Sequence, residues 1–95
     1  MSTPLLSDAE LTEALAGLTG WTRSGDTITR TVQAPAFLTG IEFVRQVAEI
    51  AETMNHHPDI DIRWRKVTLA LTTHDAGGLT QKDFDLAAQI DEILG

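Results

Sequence analysis

Along this chain apolar positions recur with two periods, and the places where one gives way to the other mark its elements. Three short stretches, "LSDAEL" (6–11), "LTGIEF" (38–43) and "LTQKDF" (79–84), share one design. Each sets Ser or Thr at a candidate N-cap and an acid three residues later, flanked by apolar residues. That is a capping box with a hydrophobic staple: it satisfies otherwise unpaired amides and fixes how the chain enters the helix. The spacing predicts a first helix from Ser7 to about Ala16, with Leu11, Ala14, Leu15 and Leu18 at core positions. Gly17 and Gly20 help end it. A second helix is predicted from Thr39 to about Asn55, where Val44, Val47, Ala48, Ala51 and Met54 form a stripe widened by Phe43 and Ile50. A third begins at Thr80 and reaches about Leu94, with Phe84, Ala87, Ala88, Ile90 and Ile93 near its apolar side.

Strand signals lie between the helices. "DTITRTVQA" (26–34) alternates threonines with Ile28, Arg30 and Val32, although Arg30 interrupts the apolar set. The preceding "SGD" offers a turn, which assigns Trp21 and Thr22 to an earlier edge strand. "IDIRW" (60–64) puts Ile60, Ile62 and Trp64 on one face, and "VTLALTTH" (67–74) points Val67, Leu69 and Leu71 inward. Arg65 and Lys66 between them imply a tight hairpin, though neither suits a type I′ turn. The order is α-β-β-α-β-β-α, which predicts an α+β domain: a four-stranded antiparallel sheet covered on one face by three helices.

The candidate chemistry gathers where the second helix ends. Pro58 pushes His57 out of helical geometry, so the helix should stop near Asn55 or His56, with two imidazoles at its exit. Glu52 lies four residues before His56 and can reach it across one helix face. A carboxylate on one ring nitrogen fixes the tautomer and raises the basicity of the other, which suits a general acid or base. His74 ends the clearest strand; if the two C-terminal strands pair, its end of the hairpin is also that of Pro58. The chain thus predicts a corner of three histidines, the only three it contains.

Other readings of these residues stand beside that one. The pair is also what a polar helix exit looks like. Three imidazoles with Glu52, Asp59, Asp61 or Asp75 supply enough ligands for a metal, but adjacent histidines seldom aim at one ion and no HExxH spacing occurs. Asp83 is the expected capping partner of Thr80. Trp21 and Trp64 read as packing residues before ligand stackers. Gly77 and Gly78 read as a turn before an anion nest.

Composition narrows the class. At 95 residues the chain is sized for one domain, residues 1–95. A domain this small buries only roughly 60–65% of its unfolded surface, so association with further copies is a natural remedy. Its net charge of −7 argues against nucleic acid, whose binding runs on basic residues neutralising phosphates. Without cysteine there are no disulfides or thiolate ligands. The start "MSTPLLSDAE" has neither a basic segment nor a long apolar run, so no membrane association and a cytoplasmic location are expected.

At these residues the chain resembles the pterin-4a-carbinolamine dehydratase family. Its signature falls on Glu52, His56-His57-Pro58, Trp64, His74 and Asp83, with "THDAGGLTQKDFDLA" leading into the last helix and Gly20-Trp21 upstream. The likeness spans roughly residues 7–93. It implies a four-stranded antiparallel sheet packed against helices, and homodimers or homotetramers formed through sheet edges and helices. It also implies dehydration of a 4a-hydroxytetrahydropterin, such as 4a-hydroxytetrahydrobiopterin, to quinonoid dihydropterin in tetrahydropterin recycling. Since no hydride moves, no cofactor is called for; the pterin is the substrate. By resemblance His56 and His74 are the acid–base pair and Glu52 orients His56. His57, Pro58, Trp21 and Asp83 make up the expected substrate-binding set.

The chain departs from its relatives at Ile60, where many have an aromatic residue, at Asn55, where animal members commonly have an acid, and at Ala76, a cysteine in some. The competing class is a non-enzymatic regulatory or assembly module that binds protein through its broad helix faces. The transcription-factor-binding role of some animal members has no independent support in this sequence.

Overall fold

The computed structural model describes residues 3–95; Met1 and Ser2 of the N-terminal stretch read above lie outside it. The elements run α1 (Asp8–Ala16), β1 (Thr22–Ser24), β2 (Thr27–Gln33), α2 (Phe37–Met54), β3 (Asp59–Arg63), β4 (Lys66–Leu71), a 3-10 turn (His74–Ala76) and α3 (Gln81–Leu94). All strand pairs are antiparallel, in the order β1-β2-β4-β3. The α+β order read from the sequence is the order observed.

Two of the three predicted capping boxes form. Ser7 and Glu10 cap α1 reciprocally, and Thr80 and Asp83 do the same for α3. The third does not: α2 begins two residues before Thr39, with Ala36 at the N-cap and no side-chain cap bond. Its acid is engaged elsewhere. Arg45 donates to both oxygens of Glu42, and these bonds hold the Glu42 carboxyl down at about 2. The earlier start also brings Gly40 onto the sheet, where a Cβ would stand 3.2 Å from that of Ala34.

The core lies between the helices and the inward face of the two central strands. Ile28 on β2 and Val67, Leu69 and Leu71 on β4 pack with Phe43 and Val47 of α2 and Phe84, Leu86, Ala87 and Ile90 of α3. Arg30, which breaks the alternation of β2, shares this face: it sits opposite Leu69 and its guanidinium reaches Asp91 of α3 at 2.9 Å. The same Asp91 oxygen accepts from the indole N–H of buried Trp21 at 2.9 Å. Gly20 leaves room for this arrangement, since a Cβ there would come within 2.3 Å of the Arg30 guanidinium.

The β3 edge differs from expectation. Ile60 and Ile62 face the same side as their partners Leu69 and Val67, yet remain 37% and 40% exposed because the helices do not extend over them. The hairpin turn is Trp64-Arg65 rather than Arg65-Lys66, and Lys66 pairs with Arg63. Trp64 therefore does not pack in the core. It is 71% exposed at a φ of 54°, a left-handed conformation that costs a bulky residue stability, with the Arg65 guanidinium over its ring. Among the described residues no helix is long and apolar enough to cross a membrane.

Candidate active site

The end of α2 sets the geometry. Asn55 takes a left-handed conformation, φ 51° and ψ 43°. Its N–H bonds Glu52 O at 3.2 Å, and the following N–H, of His56, reaches back to Ala51 O at 3.0 Å. This pairing is a Schellman motif, and asparagine is one of the few residues with a side chain that enters its left-handed position readily. The chain reverses there, and Pro58 separates the exit from β3. His56 turns inward and is buried, whereas His57 stays exposed.

The inward turn brings His56 to Asp83, not to Glu52. Its Nε2 lies 2.6 Å from Asp83 Oδ1. The carboxylate is fully buried, and its other oxygen accepts from the Thr80 amide at 2.9 Å and the Thr73 hydroxyl at 2.8 Å. Because the Thr73 proton is committed to Asp83, Thr80 is the donor in the 2.8 Å contact between the two hydroxyls. Thr80 Oγ1 in turn accepts from the Lys82 amide. Polar groups from the end of β4, the start of α3 and the exit of α2 thus converge on one carboxylate. A carboxylate only accepts, so Nε2 of His56 carries the proton, and Nδ1 has no hydrogen-bond partner among the described residues.

The expected Glu52–His56 pair is therefore corrected. Once the helix ends at Met54, His56 no longer shares a face with Glu52, and Glu52 Oε2 instead meets Nε2 of His57 at 2.8 Å. Both partners are largely exposed, so this pair contributes little to stability.

His74 opens the 3-10 turn after β4. The turn closes on Thr73, whose carbonyl accepts from the amides of Ala76, Gly77 and Gly78. Gly77, at φ 77°, supplies the left-handed position this requires. The Thr72 hydroxyl donates to Asp26 O and ties the segment to the β1–β2 turn. The His74 ring is exposed and forms no hydrogen bond among the described residues.

These segments border an open cavity of about 200 Å³ lined by Asn55, His56, His57, Thr72, Thr73, His74, Asp75 and Lys82. All three histidines border it. Trp21 does not: a buried indole N–H needs an acceptor, Asp91 supplies it, and the ring belongs to the core. Pro58 and Glu52 are likewise outside the lining, and Asp83 lies beneath it, behind His56. Lys82 went unread as a candidate, since its place beside a cap residue marked it only as part of a helix start. Among the described residues no group of three or more His, Cys, Asp or Glu side chains is placed to share a metal ion.

Fold and cavity together define a small α+β domain with three imidazoles around one cavity. The model of the family "Pterin 4 alpha carbinolamine dehydratase" matches residues 4–93, and the chain belongs to that family. A Roseiflexus sp. (strain RS-1) relative bearing the pterin-4-alpha-carbinolamine dehydratase name is 70% identical over 89 residues, covering 94% of this chain and 96% of its own. One from Nocardia farcinica, with the same name, is 61% identical over 93 residues and covers 98% of both. The crystal structure of a transcriptional coactivator/pterin dehydratase from Brucella melitensis superposes with a TM-score of 0.92 at 33% identity, over 96% of this chain and 99% of that one. A pterin dehydratase-like RuBisCO assembly factor of the alpha-carboxysome shares the fold, with a TM-score of 0.65 at 17% identity over 79% of this chain and 87% of its own.

Replacing Asp83 by Ala would leave the Thr80 amide, the Thr73 hydroxyl and the His56 ring without their acceptor. Asp83→Ala is expected to cost roughly 2–4 kcal/mol in urea unfolding, and Asp83→Asn, which keeps an acceptor, less. An Ala variant as stable as the parent would contradict this account of the junction.

Proposed function

We propose that this protein dehydrates 4a-hydroxytetrahydropterins to quinonoid dihydropterins by histidine acid–base catalysis, as a step in tetrahydropterin recycling. The observation that carries the reading is the cavity shared by His56, His57 and His74. The reaction breaks the C4a–O bond, removes the proton on N5 and forms the N5=C4a double bond. The hydroxyl takes up a proton and leaves as water, with no net oxidation or reduction. N5 and the 4a hydroxyl sit on adjacent atoms, so the work is a proton removed and a proton delivered a short distance apart. Imidazoles suit it because their ordinary pKa of about 6.5 lets both protonation states occur near neutrality.

His56 and His74 are the acid–base pair in this reading. His56 presents Nδ1 at a fixed place because Asp83 holds the opposite nitrogen; His74, without a partner among the described residues, is free to bond the ligand. His57 borders the same cavity and holds the substrate. Asp83 is a positioning residue acting through His56. The cavity is small beside the roughly 300–1,000 Å³ of drug-sized sites, which suits a flat bicyclic head with its substituent in solvent. We also read the working form as a homo-oligomer, because every β3 residue on the sheet edge is exposed and Ile60 and Ile62 are incompletely covered.

Following loss of a 4a-hydroxypterin against its spontaneous decay tests the activity; a folded protein that leaves the decay unchanged overturns it. His56→Ala and His74→Ala should each lower the rate roughly 10²–10⁴-fold, while His57→Ala mainly raises KM. Unaltered rates in both of the first two would remove their roles. Asp83→Asn should turn its amide toward His56 Nε2, move the ring proton to Nδ1 and abolish the base there. Its rate loss should match that of His56→Ala and add nothing in the double variant; additive losses would show that Asp83 acts elsewhere. Light scattering should show more than one copy per particle, and a monomer would refute the assembly.

A further inference from the structure

The cavity has one lysine among its lining residues, and the fold does not account for its charge. Lys82 is the second residue of α3, where unpaired amides and the helix dipole disfavour a positive charge. Its backbone N–H, not its ammonium, serves the cap. Among the described residues it forms no ion pair, although Asp75 lines the same cavity. The side chain is exposed and takes no part in the hydrophobic core. A cation that opposes its own helix and stands outside the core finds its explanation in what enters the cavity it lines.

We propose that Lys82 is a specificity-determining residue whose ammonium donates to the 4-oxo group of the pterin and so selects 4-oxo over 4-amino pteridines. The assignment rests on the pterin reading above. In a pterin, C4 adjoins C4a, so the 4-oxo group lies beside both atoms that exchange protons, N5 and the 4a hydroxyl. Imidazoles that serve those atoms leave O4 next to them, inside the cavity that Lys82 also lines. O4 is an acceptor and needs a donor there; an ammonium is a donor in any orientation. A 4-amino group presents hydrogens at that place and meets the ammonium unfavourably. Since O4 persists from substrate to product, the contact should favour binding more than the chemical step, and its loss should raise KM more than it lowers kcat.

The test titrates 7,8-dihydropterin, a 4-oxo probe, and 2,4-diaminopteridine, a 4-amino probe, into the full chain by fluorescence, with kcat and KM measured alongside. In Lys82→Met the 4-oxo probe should bind about tenfold more weakly, in line with a hydrogen bond to a charged group, while the 4-amino probe binds no more weakly than before. KM should rise by a similar factor, and Lys82→Arg should retain the preference. An equal loss for both probes, an unchanged preference, or a loss confined to kcat would overturn the role of Lys82 while leaving the pterin reading in place. A folded parent chain that binds neither probe and does not accelerate dehydration would overturn both.

Discussion

One carboxylate sealed beneath the cavity is the constraint on which the site depends. A buried charge is costly unless donors converge on it. Asp83 receives three, an amide, a hydroxyl and an imidazole, each from a different segment. It therefore joins the end of β4, the beginning of α3 and the exit of α2. The threonine pair extends the chain of bonds from Thr80 through Thr73 to Asp83, so each bond polarises the next. Helix capping and ring orientation are here two consequences of one residue: one oxygen of Asp83 begins a helix, and the other aims a histidine.

The adjacency of His56 and His57 follows from the turn before them. In a continuing helix the two rings would project about 100° apart on a largely exposed surface. The left-handed residue at Asn55 instead turns His56 inward onto Asp83, while His57 stays exposed with Glu52. The neighbours thereby acquire unlike surroundings: a ring locked by a buried carboxylate and a ring beside a solvated one. His74 adds a third environment, with no partner at all among the described residues. Identical side chains differentiated in this way can divide the labour of positioning, accepting and donating protons.

Much of this was legible in the sequence. Periodicity gave the element order, and capping boxes located the starts of α1 and α3. Proline after two histidines located the end of α2. The failures have physical causes. "LTGIEF" carries the letters of a cap, but Arg45 competes for Glu42, and a pattern of spacing does not say which hydrogen bond wins. Glu52 and His56 have helical spacing, which means nothing once the helix has ended between them; asparagine at the C-terminus was the signal that it had. Asp83 was recognised as a cap, but a carboxylate has a second oxygen, and its partner lay 27 residues away in sequence. Trp64 alternated correctly with Ile60 and Ile62, yet the hairpin turned one residue early.

The charge distribution also bears on what the cavity selects. The chain carries a net −7, so its long-range field repels anionic metabolites, including those bearing phosphates. That field fades over a Debye length of about 8–10 Å at moderate ionic strength, whereas the groups that line the cavity act at contact. There the balance differs: three histidines and Lys82 line the cavity, with Asp75 the only carboxylate among the lining residues. An acidic exterior around donor-rich walls suits a neutral, acceptor-bearing heterocycle better than a nucleotide of similar size. Net charge at a distance and donor placement at contact thus act on different properties of the ligand, and a pterin head group satisfies both.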